Sequence, residues 1–204
     1  MKNVYKVGGH YFSVSTESVS VVPLLAGMSN YMPFLCEDDG NIPCVFSLHV
    51  FMDDNVDYYL RNLESLAQFD DDIAYISLMS DDEGNPAFRI ALNRESCNDG
   101  GLLMVDKRNH SARLYLISSV DSYHQQFIVN NSLMLIYAMF TSTLDTLLVH
   151  ASVIINHNSG YAFLGRSGTG KSTHTRLWLK YIKGSSLLND DNPVIRMIDG
   201  EAIV

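Results

Sequence analysis

At 204 residues and 22.8 kDa the chain has room for one large domain or two small ones, and for a substantial buried core. Hydrophobic residues at 47%, charged residues at 18% and aromatics at 10% exclude a disordered or low-complexity chain and describe a folded, soluble one. The net charge of −9 is uneven: through Gln125 there are 8 Lys and Arg against 18 Asp and Glu, and afterwards 6 against 5, an acidic front half that argues against nucleic acid as a partner.

From Asn3 to about Ser122, short alternating or β-branched runs separated by turn signals predict antiparallel sheet. Strands are expected over Tyr5 to Val14, Val45 to Met52 and Ile73 to Met79. The Asp81-Asp82-Glu83-Gly84-Asn85-Pro86 turn then leads into Ala87 to Leu92, where Phe88, Ile90 and Leu92 alternate. Leu102 to Val105 and Ala112 to Ile117 form a further hairpin around Asp106 to His110. One helix is predicted in this half, Asp57 to Ala67, from Tyr58, Leu60, Leu63 and Leu66.

Beyond Tyr123 the pattern changes. Asn130 and Asn131 can start a helix in which Leu133, Tyr137, Met139, Phe140, Leu144 and Leu147 cover most faces, as in a helix packed between two layers. Leu133 to Val149 is the most apolar region, yet Thr141, Ser142, Thr143 and Asp145 make it too short and polar to cross a bilayer. Strands follow at Leu148 to Ile155 and Tyr161 to Leu164, linked by an Asn-His-Asn-Ser-Gly turn. Cys36, Cys44 and Cys97 cannot all pair, and none lies in a CxxC or Cys/His zinc spacing, which reads as reduced thiols in a cytoplasmic protein. The start, MKNVYKVGGHYF, lacks the apolar stretch and small-residue cleavage site of a signal peptide.

One motif carries chemistry. Gly165-Arg166-Ser167-Gly168-Thr169-Gly170-Lys171-Ser172, followed by Thr173, is a full GxxxxGK[ST] phosphate-binding loop between an apolar strand and a helical segment, His174 to Ile182. Its glycines let several backbone N–H groups point at one anion, and the following helix adds its positive end. Lys171 is expected to reach the β- and γ-phosphates of ATP, and the Ser172 hydroxyl to hold Mg²⁺. Further on, Leu187-Leu188-Asn189-Asp190-Asp191-Asn192-Pro193 reads as a strand that would lie beside the loop and end in paired carboxylates. One of these can hold Mg²⁺ or its water while the other accepts a proton from an attacking hydroxyl. His150 opens the strand before the loop; a lone His there is ordinarily a satisfied core residue.

The order His150-Ala-Ser, two strands, GRSGTGKST, a helix and NDDNPVI resembles the HPr kinase/phosphorylase family and its phosphoenolpyruvate-carboxykinase-like relatives, over about Val149 to Ile198. The resemblance implies an active site of His150, Lys171, Ser172, Asp190 and Asp191 around ATP and Mg²⁺. Together with the strand pattern and acidic charge of the front half it predicts an α+β fold: a β-rich N-terminal domain, residues 1–125, of unassigned role and read from that pattern, then over 126–204 the first part of the P-loop kinase core that the resemblance implies. Thr173 departs from the acidic residue that family kinases carry there. The family core continues past the Asp pair with a further carboxylate and an Arg, so the resemblance implies that a chain ending at Val204 holds an incomplete core. The function implied is transfer of the γ-phosphoryl group of ATP to a hydroxyl of a protein or small-molecule acceptor, with no membrane partner and room for a homo-oligomer. A nucleotide-binding module without turnover is the second reading. A carboxykinase-type lyase is the third, because that enzyme also joins an SGTGK loop to an Asp pair.

Overall fold

A computed structural model describes residues 1–38, 40–70, 74–166 and 168–204. They divide into two compact units, Met1–Phe140 and Thr141–Val204. Ile73, expected to open a strand, and Ser167, in the phosphate-binding loop, lie outside the described residues.

The first unit is built on nine strands: β1 (Lys2–Val7), β2 (His10–Ser15), β3 (Leu35–Cys36), β4 (Phe46–Met52), β5 (Glu64–Asp70), β6 (Tyr75–Ser80), β7 (Pro86–Ala91), β8 (Gly101–Asp106) and β9 (Ser111–Leu116). They form a single mixed sheet in the order β3-β1-β2-β4-β9-β8-β7-β6-β5, with β2–β4 and β4–β9 parallel and the other pairs antiparallel. Two short helices, α1 (Val22–Ala26) and α2 (Val56–Leu60), and the long α3 (Ser122–Thr141) complete the unit's α-helices.

Register explains the core. Tyr5 pairs with Phe12 and Phe12 with Phe46, so the three rings line one face of adjacent strands. They stack at 5.5 and 4.9 Å between centroids, and Phe140 of α3 closes the row 5.7 Å from Phe46. The Tyr137 hydroxyl ties the same helix to the sheet by donating to the Val7 carbonyl at 3.0 Å. On the other side of the sheet Val56 of α2 packs with Met79, Ala87, Leu102 and Tyr115.

The second unit comprises β10 (Thr146–Leu148), β11 (Ala151–Asn156), β12 (Ser159–Leu164), α4 (Lys171–Tyr181), β13 (Ser185–Asn189), β14 (Val194–Ile198) and β15 (Glu201–Ile203). These make two antiparallel three-stranded sheets, β10-β14-β15 and β12-β11-β13. Helix α4 lies on the second sheet. Its Thr175, 2% exposed, hydrogen-bonds Ser152 of β11, 1% exposed, and Trp178 packs against the Tyr161 and Phe163 rings of β12.

The expected α+β class with a P-loop kinase core over 126–204 is corrected by this architecture. The chain is mostly β, with 40% of residues in strands and 25% helical, and is dominated by the nine-stranded mixed sheet. No α/β kinase core is evident among the described residues. His157 and Asn158, at φ 47° and 63°, form a two-residue turn that lets β12 run only antiparallel to β11. The Leu187–Asn189 strand pairs with β11 and not beside the strand that enters the loop. The parallel pairing of this chain lies instead in the first unit.

Several elements also differ. Tyr5 to Val14 is two strands around Gly8-Gly9, and the Asp57–Ala67 helix is the five-residue α2 followed by edge strand β5. The helix predicted from Asn130 starts eight residues earlier, at Ser122, because Asp121 accepts the Tyr123 and His124 N–H groups at 2.9 and 3.1 Å and caps it; the 125/126 position therefore falls inside α3. It ends at Thr141, and Leu147 belongs to β10. No helix among the described residues is long and apolar enough to cross a membrane.

Candidate functional site

The glycine-rich loop leaves the end of β12 and enters α4. Gly170 occupies the N-cap of α4 at φ 91° and Gly168 lies at φ 76°, conformations that L side chains rarely adopt. A Cβ at either position would meet nothing within 4 Å, so both glycines face open space. Among the described residues no side chain caps the helix, and its first turn holds no carboxylate. The first N–H groups of α4 therefore have no side-chain cap among those residues. Arg166 anchors the loop through its carbonyl, which accepts from the Thr169 N–H at 3.3 Å and the Thr169 hydroxyl at 2.8 Å.

Lys171, first residue of the helix, folds back over the loop: its ammonium donates to the Gly165 carbonyl at 2.9 Å and the Arg166 carbonyl at 3.2 Å. These are neutral acceptors, which an anion entering the loop would outcompete. Ser172 and Thr173 are exposed on the first turn. Arg176, one turn further, donates through Nε to the Ser172 carbonyl at 3.2 Å and through Nη2 to the Thr173 hydroxyl at 3.2 Å.

Strand register brings the remaining candidates to the same end of the sheet. Ala151 pairs with Leu164, so His150 stands opposite Gly165, one step beyond the ladder. On the other flank of β11, Val153 pairs with Asn189, and the Ala151 N–H donates to the Asp191 carbonyl at 3.0 Å. The Asp191 N–H in turn donates to the Asn189 side chain at 2.9 Å, an Asx turn that fixes the chain just past β13. His150 Nδ1 lies 3.5 Å from Asp191 Oδ1, with the two side chains 50% and 75% exposed. Asp190 is exposed in the same turn. His150, Asp190, Asp191 and the loop thus leave one edge of the β12-β11-β13 sheet together.

The buried Ser152–Thr175 hydroxyl pair holds that arrangement. Thr175 is four residues beyond Lys171 on the inner face of α4, and Ser152 is two beyond His150 on one face of β11. One hydrogen bond therefore sets the helix that carries Lys171 against the strand that carries His150. Neither Arg176 nor this pair is apparent from the loop signature, which stops at Ser172; Arg176 is found only by extending the helical i, i+4 spacing from Ser172.

The donor set fits a phosphate chain: a glycine cradle with open space, an uncapped helix start and a movable ammonium beside it. No group of three or more His, Cys, Asp and Glu side chains able to hold a metal ion occurs among the described residues. In the first unit the concavity lined by Asp81, Asp82, Asp106 and Arg113 is acidic, and its Asp81 and Asp106 carboxylates are engaged by the Asn85 and Asn109 amides of their own turns. Comparisons with protein-family models, curated proteins and solved structures return no match to this chain.

Proposed function

We propose that the loop at Gly165–Thr173 binds ATP with Mg²⁺, and that the edge it shares with His150, Asp190 and Asp191 transfers the γ-phosphoryl group to a hydroxyl of a protein or small-molecule acceptor. The observation that carries this reading is the conjunction of the cradle and the uncapped helix with a Lys171 ammonium held only by backbone carbonyls. The motif order shared with HPr kinase/phosphorylase supports it independently of the fold.

When bound, Mg²⁺·ATP supplies the electrophilic phosphoryl group. The residues of this chain supply the rest. The loop amides and Lys171 neutralise charge on the phosphate oxygens, a contribution that grows where charge develops in the transition state. Ser172 and Asp190 would hold Mg²⁺, which ordinarily takes one or two protein oxygens and completes its shell with phosphate and water. Asp191, beside His150, accepts the proton of the acceptor hydroxyl, and the imidazole steadies the carboxylate. Asp191 lies beside His150, and this separates its role from that of Asp190. Three free thiols, at Cys36, Cys44 and Cys97, accord with a cytoplasmic location.

A nucleotide-binding module without turnover is the second reading. It is favoured by the openness of the Asp191 and His150 side chains, since phosphoryl transfer gains from excluding water.

Titration calorimetry of Mg²⁺·ATP with the wild-type chain and Lys171→Ala tests the proposal. The wild type is expected to bind, with full strength requiring Mg²⁺, and the variant to lose about a hundredfold or more in affinity with an unchanged circular dichroism spectrum. Equal affinities for the two proteins would refute the reading.

A further inference from the structure

Resting on the phosphate-binding reading above, we infer that Arg176 is a further phosphate-contacting residue of this site, one that lies outside the loop signature and makes the site selective for a polyphosphate chain.

Long side chains on a helix lean toward its N-terminus, and residues three and four apart are neighbours. Arg176 accordingly reaches back over Ser172 and Thr173. Both of its hydrogen bonds are 3.2 Å long, go to neutral oxygens and lie at exposed positions. Two of the five guanidinium donors are used in this way. No ion pair among the described residues includes Arg176, Lys171 or Arg166.

The charge around it is uncompensated along the chain as well. From Thr146 to Asn189 there is no Asp or Glu, while Arg166, Lys171, Arg176, Lys180 and Lys183 all fall within that stretch. A guanidinium leaning onto the positive end of a helix is electrostatically unfavourable, and a carboxylate in the first turn is the usual remedy. The first turn of α4 has none, and Thr173 presents a hydroxyl at the position nearest the guanidinium. Asp190 and Asp191 leave the same sheet edge, but Asp191 faces His150. A multivalent anion at the helix start turns this repulsion into attraction, and the planar guanidinium fork suits phosphate oxygens better than the two acceptors it now holds.

The position of Arg176 also bears on the class of anion. Five residues separate it from Lys171, which at 3.6 residues per turn places the two Cα atoms about 140° apart around the helix. Lys171 reaches toward Gly165 and Arg176 toward Thr173, so the two cations flank the helix start from different sides. A single phosphate in the loop answers the Lys171 side; a chain of two or three phosphates extends across the first turn to Arg176. The ligand class is therefore one that carries two or three linked phosphates, for which the nucleotides of the reading above serve as probes.

The test uses the intact chain, with Mg²⁺·ATP and Mg²⁺·ADP as probes in calorimetry at low and high salt, on wild type, Arg176→Gln, Arg176→Lys and Lys171→Ala. Arg176→Gln is expected to weaken both nucleotides about tenfold to a hundredfold with unchanged thermal melting, and to flatten the salt dependence of binding. Arg176→Lys should recover part of the loss, because it keeps the charge but not the fork. If the wild type binds and Lys171→Ala does not, while Arg176→Gln keeps wild-type affinity, the assignment of Arg176 is overturned and the loop reading stands. A loss of affinity in Arg176→Gln accompanied by a lowered melting temperature, with no recovery in Arg176→Lys, makes the residue structural and overturns the assignment too. Absence of nucleotide binding by the wild type removes both proposals.

Discussion

Two helices in this chain begin in opposite ways. In α3 of the first unit, Asp121 accepts the Tyr123 and His124 N–H groups, and its carbonyl accepts the first intrahelical bond from Gln125 at 3.0 Å. In α4 of the second unit the N-cap is Gly170 in the left-handed region, with no side chain to close the helix start. The first arrangement satisfies the helix internally and stabilises it. The second leaves those donors without a side-chain partner at the N-cap and forgoes that stabilisation. Burial follows the same division. Phe46, Leu48, Val50, Leu102, Leu103, Leu114 and Leu116 are fully buried in the first unit, whereas Leu164, Leu177, Tyr181 and Leu187 of the second are 69%, 48%, 68% and 48% exposed. One region is organised around its own core and the other around an edge where charged groups meet solvent.

That contrast breaks most visibly at matched leucines. Leu48, 0% exposed in β4, sits between β2 and β9, and Leu48→Ala should cost about 2–5 kcal/mol from lost burial and the cavity left behind. Leu177, 48% exposed on α4, should tolerate Leu177→Ser within about 0.5 kcal/mol. Urea denaturation followed by circular dichroism reads both, and comparable losses at the two sites would abolish the distinction between the units.

The second unit has its own buried seam along β11, where Val153 and Ile154 are 0% exposed and the Ser152 and Thr175 hydroxyls are buried and satisfy each other. Removing one leaves the other without a partner, which costs about 1–3 kcal/mol, whereas replacing both with apolar groups is nearly neutral. Thr175→Val alone should therefore destabilise the unit more than the Ser152→Ala, Thr175→Val double variant does. Strict additivity in the double-mutant cycle would show that the pair does not couple strand and helix.

The sequence was legible where a physical signal is local. Strand β6 alternates buried and half-buried residues, which is why its period of two could be read directly. The loop glycines and Lys171 form a compact signature whose structural consequence, left-handed glycines before a helix, needs no distant partner. Long-range pairing was not legible. Leu60, Leu63 and Leu66 have helical spacing, yet Leu66 is 56% exposed on edge strand β5, so the spacing does not mark a buried face. Asn131 resembles a helix start, but its side-chain amide donates to the Phe127 carbonyl at 2.9 Å, four residues back, inside a helix already under way. The expectation of a P-loop kinase core failed because the motif specifies the loop and its helix, while hairpin turns such as His157-Asn158 decide strand direction. His150 and Asp191 meet across 41 residues of sequence only through the β12-β11-β13 register, which no spacing rule supplies.

The smallest effect sharpens the comparison of helix starts through pH. The Asp121 carboxyl is held below the usual carboxylate range, first by the backbone N–H of His124 and then by the His124 side chain, with the Tyr123 N–H adding to both. A carboxyl whose value in the folded chain is depressed contributes stability that is fully present above its unfolded value near 3.9 and is lost as pH falls through that value toward the folded one. Asp121→Asn keeps a capping oxygen but cannot titrate. Between pH 5 and pH 3 the wild type should therefore lose more stability than Asp121→Asn, the gap opening as pH drops below about 4. Urea midpoints of both proteins at the two pH values read the difference. Other carboxylates held low by their own turns, such as Asp53 and Asp106, titrate alike in both proteins and cancel in it. Helix α4 has no corresponding group to titrate, since Gly170 stands where Asp121 stands in α3. Equal acid losses in the two proteins would mean that the Asp121 cap holds α3 equally well with its carboxyl protonated, and the electrostatic part of the contrast between the two helix starts would then have no consequence for stability.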